Sequence, residues 1–207
     1  FNPKISIAMD LTDDAMAYAL YSRGYRLGGT NMSPVTPFTN AEQFYRPDEV
    51  QNYELGAKTR WFSGAMTADI CAYRLNWEGI PLLVQDSVGL FNYLINAGNA
   101  EIDGVEVSLA IRPFDFLTAR SSLTYNQARL LNDYDPGNGR PPAVAGDQLP
   151  GAPDITATNM LSGVWFLADR MTNLTFIHRY VGESPSNLSY KDIKVGGYNL
   201  FDLRAGT

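Results

Sequence analysis

Val105, Val107, Leu109 and Ile111 are apolar, and the residues between them, Glu106, Ser108, Ala110 and Arg112, are polar or small. After Pro113-Phe114-Asp115, read as a tight turn because proline fixes φ and cannot donate to a ladder, the alternation resumes at Leu117, Ala119, Leu123 and Tyr125. A period of two places alternate side chains on opposite faces of a strand. The same pattern recurs along the chain. Ile5, Ile7, Met9 and Leu11 alternate with Lys4, Ser6, Ala8 and Asp10, and Tyr53, Leu55, Ala57, Thr59 and Trp61 alternate with Asn52, Glu54, Gly56, Lys58 and Arg60. Met66, Ala68, Ile70 and Ala72 form another such set, as do Leu174, Phe176, His178 and Tyr180. About nine strands are predicted. Residues 16–25 and 155–166 read as strands of undetermined facing, because both parities mix apolar and polar residues.

The connections alternate in length. Short turns are predicted at 12–14, 63–64, 113–115 and 167–170, and loops at 28–47, 79–92, 130–153 and 183–196. In an antiparallel sheet this sorts short turns to one end and long loops to the other, as in outer-membrane barrels. The polar parity also carries charges in mid-strand, which a wet lumen tolerates and a packed core does not. The predicted class is all-β: an antiparallel transmembrane β-barrel, present in part. A soluble β-rich binding module is the competing class. Composition narrows the function. With 16 Lys and Arg against 22 Asp and Glu, a net charge of −6 and no basic run, nucleic acid is not the expected partner. One cysteine, Cys71, excludes an intrachain disulfide framework, and with a single histidine, His178, no zinc site or catalytic triad is expected. The expectation is a protein that is not an enzyme and has no cofactor.

Six segments carry a family resemblance: residues 18–29 (YALYSRGYRLGG), 47–58 (PDEVQNYELGAK), 72–80 (AYRLNWEGI), 96–106 (NAGNAEIDGVE), 179–184 (RYVGES) and 198–206 (YNLFDLRAG). In this order and spacing the chain resembles the C-terminal part of the barrel domain of TonB-dependent outer-membrane receptors. The resemblance implies a barrel of about 22 strands with a plugged lumen. It also implies active import of a scarce nutrient, foremost a ferric siderophore or similar iron complex, energised by the TonB complex of the inner membrane. Cobalamin or carbohydrate uptake and a passive, porin-like diffusion channel are the alternatives. Residues 1–207 are expected to be one partial barrel domain without the plug.

Ligand contact is expected from residues of the external loops: Phe38, Phe44, Tyr45, Arg46, Tyr134, Arg140 and Tyr190. Aromatics there offer large contact area at low entropic cost, or simply pack the loops together. Glu54, Lys58, Arg60, Glu106, Arg120, Asp202 and Arg204 are expected to face the lumen, where they hold a plug, guide cargo or form cross-strand ion pairs. Arg23 and Arg26, near the outer strand ends, are candidates for lipopolysaccharide phosphates. His178 reads as an aromatic-belt residue of the membrane interface. Asp133 to Gly139 suggests a calcium loop, but Gly137 and Val144 occupy positions that need acidic or amide ligands.

Overall fold

Nine long strands form one antiparallel sheet in strict chain order. They are β1 (Lys4–Thr12), β2 (Ala15–Arg26), β3 (Asp48–Trp61), β4 (Met66–Glu78), β5 (Ala100–Phe114), β6 (Leu117–Leu130), β7 (Ile155–Leu167), β8 (Arg170–Val181) and β9 (Tyr198–Gly206). This computed structural model describes residues 1–31, 43–85, 92–135, 141–188 and 191–207. The strands outrun the sequence reading by a residue or two, and the loops hold more order. Short ribbons pair Gly29–Thr30 with Phe44–Tyr45, Pro81–Gln85 with Asn92–Asn96, and Ser184–Pro185 with Lys194–Val195.

The predicted turn at Pro113 is corrected. Pro113 and Phe114 remain in β5 and the chain reverses at 115–116. Pairing shifts between Leu117 and Ala119, so Arg112 and Pro113 both lie opposite Thr118. The bulge absorbs the residue that cannot donate. At the β7–β8 turn, Ala168 and Asp169 take φ of 48° and 61°, the left-handed geometry that matches the twist of a two-residue hairpin.

Register settles the two strands whose facing the sequence left open. Ala17, Ala19 and Tyr21 of β2 lie opposite Ala57, Leu55 and Tyr53, on the apolar face. Tyr18 and Leu20 therefore belong to the polar face, and glycine explains how Tyr18 fits there. Tyr18 lies directly across from Gly56, where an added Cβ would stand 2.4 Å from its ring. Tyr73 covers Gly104 in the same way, at 2.3 Å. Each ring fills the space its opposite residue lacks, a cross-strand pairing that fixes register.

One cross-strand row measures the slant of the sheet. Ala15 leads through Thr59, Ala68, Leu109, Ser121 and Asn159 to His178 and Phe201. Ala15 is at the turn end of β2, but the β7–β8 turn lies eight residues beyond Asn159, past Leu167. That offset is roughly 27 Å along the strand, over the six strand spacings from the middle of the β1–β2 turn to the middle of the β7–β8 turn, which total roughly 29 Å. Level turns then require a tilt of about 43°, within the range of outer-membrane barrels.

The apolar face stays bare in mid-sheet, with Leu55 66% and Ile70 50% exposed. Aromatic residues bound it at both ends. Tyr21 and Tyr53 meet near the loop end with centroids 5.1 Å apart and planes tilted by 46°, and Phe114 and Phe116 stack at 5.4 Å by the turns, where Trp61 also stands. Tyr53 and Trp61 are eight residues apart, roughly 20 Å of height at this tilt, comparable to a membrane barrel's apolar band. Beyond the tyrosines the polarity of the faces inverts. The apolar face gives way to the row Arg23, Gln51, Asn76, Glu101 and Arg129. The opposite face turns apolar with Val50, Trp77, Ala100 and Leu130.

The loops fold back onto that apolar end. The buried cluster is Ile80, Ala100, Ala128, Leu130, Ala143, Leu149 and Leu188, with Trp77, Leu82, Ile102 and Tyr134 packed around it. Asp48, 5% exposed, stands beside Trp77 and is fully occupied. It accepts from the Arg26 guanidinium at 2.8 Å and from Trp77 Nε1 at 2.6 Å, with Arg26 over the indole at 5.3 Å. Loop 131–154 is tied to loop 182–197 by Lys191 Nζ on Asp147 Oδ2 at 2.5 Å. Burial pushes the Asp147 carboxyl up, but the Lys191 ammonium and the Val144 N–H outweigh it and hold the carboxyl below its ordinary value.

Two predictions follow from this packing. Gly56→Val displaces the Tyr18 ring and costs about 1–2 kcal/mol in urea unfolding of the refolded barrel, and adding Tyr18→Ala recovers part of that loss. The Asp147 tie is present above the ordinary carboxylate pKa near 3.8 and is lost as pH falls through the lowered folded value. Hydrogen exchange around Leu149, corrected for intrinsic rates, therefore accelerates below about pH 4, and Asp147→Asn shows that acceleration already at pH 7.

Candidate functional site

The strand alternation that bares Leu55 and Ile70 on one face sends the mid-strand charges to the other. Glu54, Lys58 and Arg60 on β3, Glu106 on β5, Arg120 on β6, and Asp202 and Arg204 on β9 all share this polar face. Their partners differ. Arg60 reaches Asp14 in the first turn at 2.8 Å, and Asp202 pairs with Arg179 at 2.7 Å. Glu54 Oε1 accepts from Asn52 Nδ2 at 2.6 Å. Lys58 faces Asp69 across the β3–β4 ladder without closing an ion pair. Arg120 has no ion pair among the described residues and stands in a shallow basin of about 440 Å³ paved by Thr67, Ser108, Ala110 and Ser122. Such a face is stable only when wet or covered by a polar partner.

At the loop end the expected ligand-contact residues separate. Phe38, Arg140 and Tyr190 lie outside the described residues. Phe44 is 60% exposed at the rim. Tyr45 lays its phenol against Gly29, where a Cβ would meet the hydroxyl at 2.4 Å. Arg46 borders a cavity of about 640 Å³ shared with Arg23, Glu49, Glu78, Asn96 and Asn99. Tyr134 packs on the buried cluster and bridges to Ala143. Asp133, part of the calcium-like stretch, accepts the Ala145 N–H at 2.9 Å and so staples its own loop.

Sequence reasoning missed the residues that shape the rim. Asn31 exchanges two hydrogen bonds with the Leu94 backbone, both 2.8 Å. Asn96 accepts the Arg46 N–H at 2.7 Å and donates to Gly79 O at 2.7 Å. Asn99 receives the Gly79 N–H at 3.1 Å, and its own N–H donates to Asn132 Oδ1 at 3.0 Å. These amides tie loops 27–47, 79–99 and 131–154 into one rim. The signal for Asn96 and Asn99 is the density of asparagine in 92–99, which reads equally well as turn chemistry, and Asn31 and Asn132 stand outside it.

The two arginines near the outer strand ends also separate. Arg26 is committed to Asp48, whereas Arg23 stands on the opposite face and pairs with Glu49. His178 is on the apolar face, stacked on Phe201 at 4.9 Å. Among the described residues no three His, Cys, Asp or Glu side chains gather as a metal site.

The geometry of a sheared sheet, an apolar band between aromatic girdles and ordered loops at one end has close counterparts. The solved ferric yersiniabactin uptake receptor FyuA of Yersinia pestis superposes with a TM-score of 0.76 at 20% identity, over 98% of this chain and 29% of that one. The ferric preacinetobactin receptor BauA of Acinetobacter baumannii gives 0.71 at 21% identity, over 99% and 29%. In sequence, the ferric-pyoverdine M114 receptor PbuA of Pseudomonas sp. (strain M114) is 26% identical over 137 residues, 64% of this chain and 15% of its own length. The chain thus spans less than a third of these relatives, which are named as receptors rather than enzymes. The profile described as TonB dependent receptor-like, beta-barrel matches residues 1–207, so the chain belongs to the TonB-dependent receptor family and forms part of its β-barrel.

Proposed function

We propose that this stretch is wall and external rim of an importer in the outer membrane of a Gram-negative bacterium, and that its cargo is a ferric siderophore. The observation that carries the reading is the two-faced wall: a bare apolar band on one side, and on the other a polar face whose Lys58, Glu106, Arg120 and Arg204 close no ion pairs among the described residues. A hydrated lumen suits that face, and hydrocarbon suits the other. Support for this cargo comes from relatives whose names specify ferric pyoverdine, ferric yersiniabactin and ferric preacinetobactin.

In this mechanism the chelate is captured at the rim, where Phe44, Tyr45 and Arg46 supply aromatic and cationic contacts. It then passes along the polar face. Energy enters through the TonB complex, acting on a plug within the barrel rather than on this wall. The chain makes and breaks no covalent bond. Outward, the wall meets lipid, and the band above the tyrosines holding Arg23, Arg74 and Arg129, paired there with Glu49, Asp103 and Asp154, is our candidate for lipopolysaccharide phosphates.

Deleting the gene abolishes radioiron uptake from one ferric siderophore under iron starvation and leaves growth in iron-rich medium unchanged. Uptake that stays normal for every chelate tested overturns the reading. Phe44→Ala weakens chelate binding about 3- to 30-fold by fluorescence titration while the barrel still inserts.

A further inference from the structure

Among the described residues, the apolar face has one place where three polar side chains stand side by side. Ser121, Asn159 and His178 are consecutive members of a cross-strand row on that face, between Leu109 and Phe201. Ser121 Oγ donates to Asn159 Oδ1 at 2.7 Å, Asn159 Nδ2 lies 3.2 Å from His178 Nδ1, and His178 Nε2 lies 2.8 Å from Asn199 Oδ1. The directions agree. An amide N–H only donates, so His178 Nδ1 accepts, the ring proton sits on Nε2, and that N–H donates to Asn199. This string of four side chains is built from neutral donors and acceptors. It leaves the second N–H of Asn159 without a protein partner among the described residues, and in hydrocarbon such a group needs an acceptor from elsewhere.

A groove of about 360 Å³ begins at this polar pair. Ala119 is its floor, Leu109 and Ile111 form one side, and Leu161 and Phe176 form the other. Ala119, Leu161 and Phe176 sit one row nearer the turns than Ser121, Asn159 and His178, so the groove descends from the polar head toward the turn end. Its head is level with the loop-end tyrosines, because Asn159 is eight residues from Leu167 as Tyr53 is from Trp61. A polar head at the external girdle above an apolar trough is the orientation of a lipid in the outer leaflet.

We propose that the Ala119 groove seats one acyl chain of an outer-leaflet glycolipid, whose amide linkage accepts a hydrogen bond from Asn159. The chemistry of the head selects this lipid. Ser121, Asn159, His178 and Asn199 offer neutral donors and acceptors, which match an amide-linked hydroxyacyl chain. A phosphate calls instead for guanidinium partners, which lie higher on the same face at Arg74 and Arg129, there paired with Asp103 at 2.7 Å and Asp154 at 3.7 Å. Small size at Ala119 is what opens the trough, since Leu109, Ile111, Leu161 and Phe176 around it are all large. The proposal rests on the reading of this face as membrane-exposed wall.

The test uses the intact receptor, extracted in mild detergent and washed, with mass spectrometry of the lipids retained per mole of protein. Wild type retains amide-linked glycolipid. Ala119→Phe, which fills the trough, and Asn159→Leu, which removes the donor, each lower that retention at least about fivefold, while Leu55→Phe elsewhere on the face leaves it unchanged. Equal glycolipid retention in both variants and wild type overturns the site, and so does wild type retaining phospholipid in place of glycolipid. Should the variants fail to fold, wild type in phospholipid nanodiscs decides: its unfolding temperature rises on adding the glycolipid, and no rise overturns the site. A receptor that stays folded without detergent removes the wall reading and this site together, which distinguishes that failure from loss of the site alone.

Discussion

A strand surrounded by hydrocarbon has no water to satisfy its N–H and C=O groups, so each must pair with a neighbouring strand. The nine strands meet this demand in the simplest order, every one beside its sequence neighbours. Their apolar side chains contribute little to cohesion, since residues such as Leu55 and Ile70 remain exposed. The ladder and its register hold the wall. Among the described residues the packed cluster lies above the tyrosine girdle, where the loops need a core of their own around Leu130 and find it on the face that is polar lower down.

Much of the wall was legible because its two faces meet different solvents. Where those solvents differ most, as along β3 and β5, parity alone identifies the strand and its facing. The reading faded where a local pairing overrode the solvent rule. Tyr18 blurs β2 because its ring is a partner for Gly56 rather than a lipid contact, and no period reveals which glycine lies opposite. Asn159 blurs β7 because its neighbours, Ser121 and His178, come from other strands. Pro113 looked like a turn because the bulge that accommodates it depends on the register with β6.

The rim was the least legible part. Tyr134 and Tyr45 looked alike as loop aromatics, yet Tyr134 sits against the buried cluster and Tyr45 against Gly29. Only contacts between loops distant in sequence separate packing from display, and composition carries no trace of those. The same holds for Arg23 and Arg26, three positions apart and on opposite faces, one beside Glu49 and one enclosed with Asp48 and Trp77.

The asparagine ties have a consequence for how such a receptor diversifies. Asn96, Asn99 and Asn132 sit at the roots of their loops, and Asn31 begins the long excursion of the first one. They replace backbone partners, so they depend on the position of the main chain at the root and not on the side chains between roots. Residues beyond them can be inserted, deleted or exchanged while the strand ends keep their spacing. The amides also carry no charge to titrate, and among the described residues the ion pair that joins one loop to another is Asp147–Lys191. A receptor built this way can change what it recognises at the tips and leave the frame that presents them untouched.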